Sequence, residues 1–141
     1  MSLKKSRCIK FYLFSAFAIL NSCGGSTGTI PANKEATPNG SVVAQGSFSG
    51  IGDNQVSGAV FIFQNGNQHN LRIEGLSVPN QNGLLVVVKA DGENVLFTDL
   101  RSKSGDQNYP LDVGVNTNWT SVEILTFQET VIGIAVLNSR Q

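Results

Sequence analysis

Sulfur and imidazole are scarce in this chain of 141 residues: it holds two cysteines, one methionine and one histidine. The methionine is Met1, the cysteines are Cys8 and Cys23, and the histidine is His69. Zinc sites take four ligands, or three and a water, and iron-sulfur clusters take cysteines. Neither set can be assembled here unless Asp and Glu supply nearly all of it. Nucleophilic chemistry is equally poorly provided for. There is no Gly-x-Ser-x-Gly, no HExxH and no P-loop, and a single imidazole would have to serve any triad. Ten acidic residues are present, but nothing selects one pair of them for sugar hydrolysis. The chain is therefore not expected to be an enzyme, and no cofactor or metal is expected.

A long apolar run is also missing. The N-terminal stretch 11–20 (FYLFSAFAIL) is ten residues, about half of the ~20 needed to cross a bilayer as a helix. It follows a basic head of Lys4, Lys5, Arg7 and Lys10, so residues 1–22 read as a targeting segment. The segment ends at Leu20-Asn21-Ser22-Cys23, which resembles the lipobox of bacterial lipoproteins. The resemblance implies a diacylglyceryl group on Cys23, cleavage before it, and acylation of the new amine by a fatty acid such as palmitate. The other reading is an ordinary secretory signal with Cys23 as a thiol, whose sole partner in the chain, Cys8, leaves with the leader. Two or three acyl chains anchor stably where one does not. Gly24 stands where some bacteria place an aspartate to keep lipoproteins in the inner membrane, which points to the outer membrane.

Loss of residues 1–22 removes four of ten basic residues and none of ten acidic ones, leaving six against ten, or about minus four. With no basic patch, nucleic acid is not an expected partner. Residues 23–41 hold the lipidated cysteine and a stretch of Gly, Ser, Thr, Pro, Asn and Ala that cannot bury enough apolar surface to order itself. A flexible tether is expected there, and one domain over 42–141.

Within that domain short apolar runs alternate with turn residues, and no helical period appears. Strands are predicted over 42–49, 55–64, 69–76, 84–90, 95–100, 109–115, 121–127 and 131–137. Asn65-Gly66 and Asp91-Gly92 are hairpin signals. The run 84–88 (LLVVV) is apolar at every position, as in a strand covered on both faces. Eight short strands predict an all-β fold, an antiparallel sandwich or a partly closed barrel.

The order of features is similar to the DM13 domain, a small β module of secreted and membrane-tethered proteins often described as an electron-transfer domain. The similarity runs from Gly46-Ser47-Phe48 through Val56-Ser57-Gly58-Ala59-Val60 and Leu71-Arg72-Ile73-Glu74-Gly75-Leu76-Ser77. Asn82-Gly83 then precedes the LLVVV run. It continues at Gly105-Asp106-Gln107-Asn108-Tyr109, at Trp119-Thr120-Ser121-Val122-Glu123-Ile124 and at Ile132-Gly133-Ile134-Ala135-Val136-Leu137. Gly58, Gly105, Tyr109, Trp119 and Val122 are the matched residues to which structural roles are given. Three departures bear on function. Asp53-Asn54-Gln55 stands where the family often has a histidine, Asn82-Gly83-Leu84-Leu85 where it has Gly-Pro-Asp, and Ile124-Leu125-Thr126-Phe127 where it commonly has a cysteine. The thiol on which the redox proposal rests is absent.

Individual residues follow from this frame. His69, just past the Asn65-Gly66 turn, is expected to be a surface polar residue. Asp91, Asp99, Asp106 and Asp112 offer oxygen ligands for calcium but lack EF-hand spacing, and are expected to be solvated loop carboxylates. A Gly105-Asp106 turn is expected to start a strand at Tyr109, with Tyr109 and Trp119 packing on the core. The Asn118-Trp119-Thr120 acceptor triplet is read as empty in a bacterial envelope protein. The function expected is a non-enzymatic interaction module, tethered through its lipid and engaging an envelope protein or glycan. Two alternatives stand beside it: an accessory electron-transfer protein using a partner's cofactor, and a carbohydrate-binding or adhesion module, which would need Tyr109 and Trp119 exposed.

Overall fold

Alternating apolar residues cut by Asn and Gly pairs give strands joined by tight turns, and the computed structural model, which describes residues 34–140, has nine. The targeting segment, Cys23 and residues 24–33 lie outside the described residues. The strands are β1 (Ser41–Gly50), β2 (Ser57–Asn65), β3 (Gln68–Ser77), β4 (Leu85–Ala90), β5 (Glu93–Asp99), β6 (Ser104–Leu111), β7 (Trp119–Leu125), β8 (Val131–Val136) and the short β9 (Asn138–Ser139). There is no helix among the described residues.

The strands run β5-β4-β7-β8-β1-β2-β3-β6 in one antiparallel sheet that curls into a nearly closed barrel. β1 makes the curl. Its first part pairs with β2 from Ser41 to Ser47, and its end pairs with β8 from Phe48 to Gly50. β9 lies beside Ala44 and Gln45. β5 and β6 end the order and are not paired to each other, so the seam lies between them.

Ala44, Val60, Ile62, Leu71, Val122 and Ile124, none of them exposed, fill the interior from both halves of the sheet. β4 is covered on both faces, as its unbroken apolar run predicts. Val86 and Val88 join the core, while Val87 between them is only 1 % exposed on the other face. Gly133 of β8 is there because the barrel is narrow: a Cβ on it would sit 2.7 Å from the Val56 side chain.

Three expectations are corrected. The sixth strand begins at Ser104, not Tyr109, and stops at Leu111. Gly105, at φ 82°, pairs with Leu76 beside the bulge that Glu74 and Gly75 make in β3, so the residues that read as a turn are strand. Pro110 is accommodated because β6 ends the strand order and the segment 34–36 beside it bonds only Asp106 and Asn108 of this strand, so no neighbour among the described residues needs the missing N–H of Pro110. His69 is not a surface residue but is 2 % exposed, since its place in β3 puts it on the same face as Leu71 and Ile73. Finally, residues 34–36, assigned by composition to the tether, lie along β6. Lys34 forms a parallel bridge with Asp106, and the Glu35 N–H donates to the Asp106 carbonyl at 3.3 Å.

Candidate interaction surface

One end of the barrel carries the Asn65-Gly66 turn, the Asp91-Gly92 turn and the loop of residues 112–118. Their geometry is fixed locally. Gly66 has φ 63°, and Gln64 Nε2 donates to its carbonyl at 3.0 Å. Asp91 and Gly92 both have positive φ, at 52° and 84°, the signature of a type I′ hairpin turn that matches strand twist. The Asp91 N–H donates to the Asn118 carbonyl at 2.9 Å, and the Asn118 N–H returns to the Asp91 carboxylate at 3.3 Å. Thr117 Oγ1 donates to the Gly114 carbonyl. On these braced turns and at their edges Asn65, Asn67, Gln68, Asn116 and Asn118 are all exposed. The result is a surface rich in amide donors and acceptors, with the exposed carboxylates of Asp91, Glu93 and Asp112 and the exposed Val115 among them.

A groove of about 500 Å³ opens at this end, lined by Asn67, Gln68, His69, Asn70, Asp112 and the strand end at Pro110 and Leu111, among others. The His69 ring packs against Trp119, with centroids 5.5 Å apart and planes tilted by 55°. Neither ring nitrogen has a hydrogen-bond partner among the described residues, and both are buried. Burial pushes the His69 pKa below its ordinary 6.5, because the charged form loses its water. Burial thus favours the neutral imidazole at His69.

The calcium candidates are dispersed. Asp106 is committed to Arg72 at 3.2 Å and to the Gly75 N–H at 2.9 Å, Asp91 to Asn118, and Asp99 and Asp112 are exposed. Among the described residues no three His, Cys, Asp or Glu side chains converge to hold a metal.

Tyr109 and Trp119 are 4 % and 7 % exposed and belong to the core. Tyr109 Oη donates to Gln107 Oε1 at 2.6 Å and accepts from the Arg101 N–H at 3.0 Å, while the Arg101 guanidinium covers its ring at 4.6 Å. Burial raises the Tyr109 pKa above its ordinary 10.0. Gln107, unexposed, also accepts from the Ser102 N–H and donates to the Ser102 carbonyl, which ties the β5–β6 connection to the core. Val122 is in the core, and Gly58, at φ 139°, sits where the β2–β3 register shifts.

Arg72 is the buried charge that the sequence reading passed over. It stands on the outer face of β3, yet only 3 % of it is exposed. Its guanidinium donates to Glu74 at 2.7 Å, to Asp106 and Asn108 at 3.2 Å, and to the Glu35 carbonyl at 2.9 Å. Glu35 Oε2 accepts from the Asn108 N–H, and Asn108 Nδ2 donates to the Ala36 carbonyl. Arg101 Nη1 meets Glu35 Oε1 at 3.0 Å. All three guanidinium nitrogens of Arg72 donate to this chain's own acceptors, so the cluster is a clasp holding residues 34–36 and not an anion site. Its sequence signal was an Arg-x-Glu pair on one strand face, which composition alone reads as solvated.

No protein-family model matches the chain, and no curated protein or solved structure matches it either.

Proposed function

We propose that the chain is an envelope lipoprotein, anchored through Cys23, whose DM13-like β domain is a non-enzymatic binding module. The lipobox Leu20-Asn21-Ser22-Cys23 supports the anchor. The observation that carries the binding role is the set of exposed Asn and Gln side chains on short, internally hydrogen-bonded turns at one barrel end. Turns already fixed lose little freedom when a partner docks, and uncharged amides pair with peptide or hydroxyl groups without a large desolvation cost. Because Tyr109 and Trp119 are buried, neither presents a ring face for sugar stacking, which weighs against the carbohydrate reading.

Photo-crosslinking in living cells tests this. A reactive side chain at Asn67 and at Asn116 should give the same discrete adduct, and one at Asn82, exposed at the opposite barrel end, should not. No adduct from either Asn position would overturn the reading. A stoichiometric chromophore in the processed protein purified from its host would instead move it to electron transfer.

A further inference from the structure

We infer that the barrel end opposite the amide-rich turns faces the lipid surface, with Phe127 as its contact residue. The inference rests on the lipid-anchor reading and adds an orientation to it.

Residues 34–36 run parallel to β6, from the level of Asp106 toward Asn108. β6 starts at the end where β3 finishes, since Ser104 pairs with Ser77, and reaches the amide-rich end at Leu111, opposite His69. The N-terminal side of residues 34–36 therefore points toward the opposite end. Ten residues, 24–33, separate Lys34 from Cys23. A chain of that composition spans roughly 15–20 Å on average. A tether so short keeps the end it joins next to the bilayer, at an effective concentration of order millimolar.

That same end carries the loop between β7 and β8, whose tip presents Phe127 at 78 % exposure. The tip is rigid. The Thr126 N–H donates to the Thr130 carbonyl at 2.9 Å, the Glu129 N–H to the Thr126 carbonyl at 2.8 Å, and the Thr130 N–H to Thr126 Oγ1 at 3.2 Å. Ile51, on the neighbouring loop after β1, is 43 % exposed. The ring lies beside Gly83 of the neighbouring loop but is not part of the barrel core, and most of its surface faces outward. The charges around it, Asp53, Asp99, Arg101, Lys103 and Glu129, are of mixed sign, so the attraction is apolar and not electrostatic. One phenylalanine binds membranes too weakly to hold a free protein. A domain already tethered there needs only such a bias to settle in one orientation.

The test uses the full-length lipidated protein reconstituted into phosphatidylethanolamine–phosphatidylglycerol vesicles, with and without brominated acyl chains. The probe is tryptophan fluorescence in Phe127→Trp and, as mirror control, Asn116→Trp. Native Trp119, buried near the far end, is the internal reference. Brominated chains should quench the added emission of Phe127→Trp at least twofold and leave the wild-type and Asn116→Trp emission unchanged. Both positions are exposed, so wild-type melting of each variant verifies the fold. If Phe127→Trp is unquenched while the protein still floats with the vesicles, the orientation is wrong and the anchor stands. Equal quenching of both variants overturns the orientation too. A protein that does not float and shows an unmodified Cys23 by mass overturns the anchor reading, and the inference with it.

Discussion

His69 and Trp119 lie ring against ring, 5.5 Å between centroids, and neither imidazole nitrogen finds a partner among the described residues. Since burial lowers the His69 pKa below 6.5, the unfolded chain binds a proton there more readily than the fold does. Stability is then fully present above about pH 6.5 and shrinks as pH falls from there toward the lowered folded value. Urea unfolding across pH 5–8 should show this loss, and His69→Leu should flatten it while costing less than about 1 kcal/mol at pH 7, because an unpaired polar group is replaced by an apolar one. An unchanged acid limb in His69→Leu would assign it to other groups.

Tyr109 works in the opposite direction. Its neutral hydroxyl is held between Gln107 and Arg101, and its pKa is raised above 10.0. Above about pH 10 the unfolded chain releases this proton first, so stability falls as pH rises further. Tyr109→Phe should lose about 1 kcal/mol at neutral pH and show a smaller alkaline loss, read from denaturant midpoints at pH 7 and pH 10.5.

The clasp around Arg72 is testable through hydrogen exchange. Glu35→Ala removes the acceptor for the Asn108 N–H and the partner of Arg101, and should raise exchange at Asn108 by tenfold or more while the interior strands β1 and β2 stay protected. Arg72→Ala should cost about 1–3 kcal/mol. A buried charge cluster loses its cation, but the Glu74 and Asp106 carboxylates, each 40 % exposed, are still hydrated.

Gly133→Ala places a methyl 2.7 Å from Val56. Thermal unfolding should show a loss of about 1–3 kcal/mol from overpacking. The Val56→Ala/Gly133→Ala double variant should recover part of it, a coupling that two independent losses would not give.

The all-β class and the places of most strands are legible because alternation and Asn-Gly punctuation are local signals: β2, β3 and β4 begin within two residues of the predicted positions, while the short β9 and the order of strands in the sheet are not legible. What stayed hidden depends on partners distant in sequence. Gly105 looks like a turn until it is set against Leu76 of β3, and His69 looks solvated until the face it shares with Leu71 is closed over by β7. Glu35 sits in a composition typical of linkers, and only Arg72, 37 residues away, gives it a place. Tyr109 and Trp119 are legible as packing residues because large aromatics in short strands of a small β domain have few other uses, although Tyr109 lies late in β6 and not at its start. The amide surface was half legible: its residues were visible as turns, whereas their gathering at one end is a product of the antiparallel order.

A pull on the N-terminal chain meets the fold at Glu35 before it meets β1. Because residues 34–36 run alongside β6, such a load is borne in shear, with the Arg72, Asn108 and Arg101 bonds stretched together and not peeled one by one. β1, which joins both halves of the barrel, begins at the far end and stays unloaded until all of these give way. The contacts of residues 34–36 thus stand, along the chain, ahead of the one strand whose loss would open the barrel.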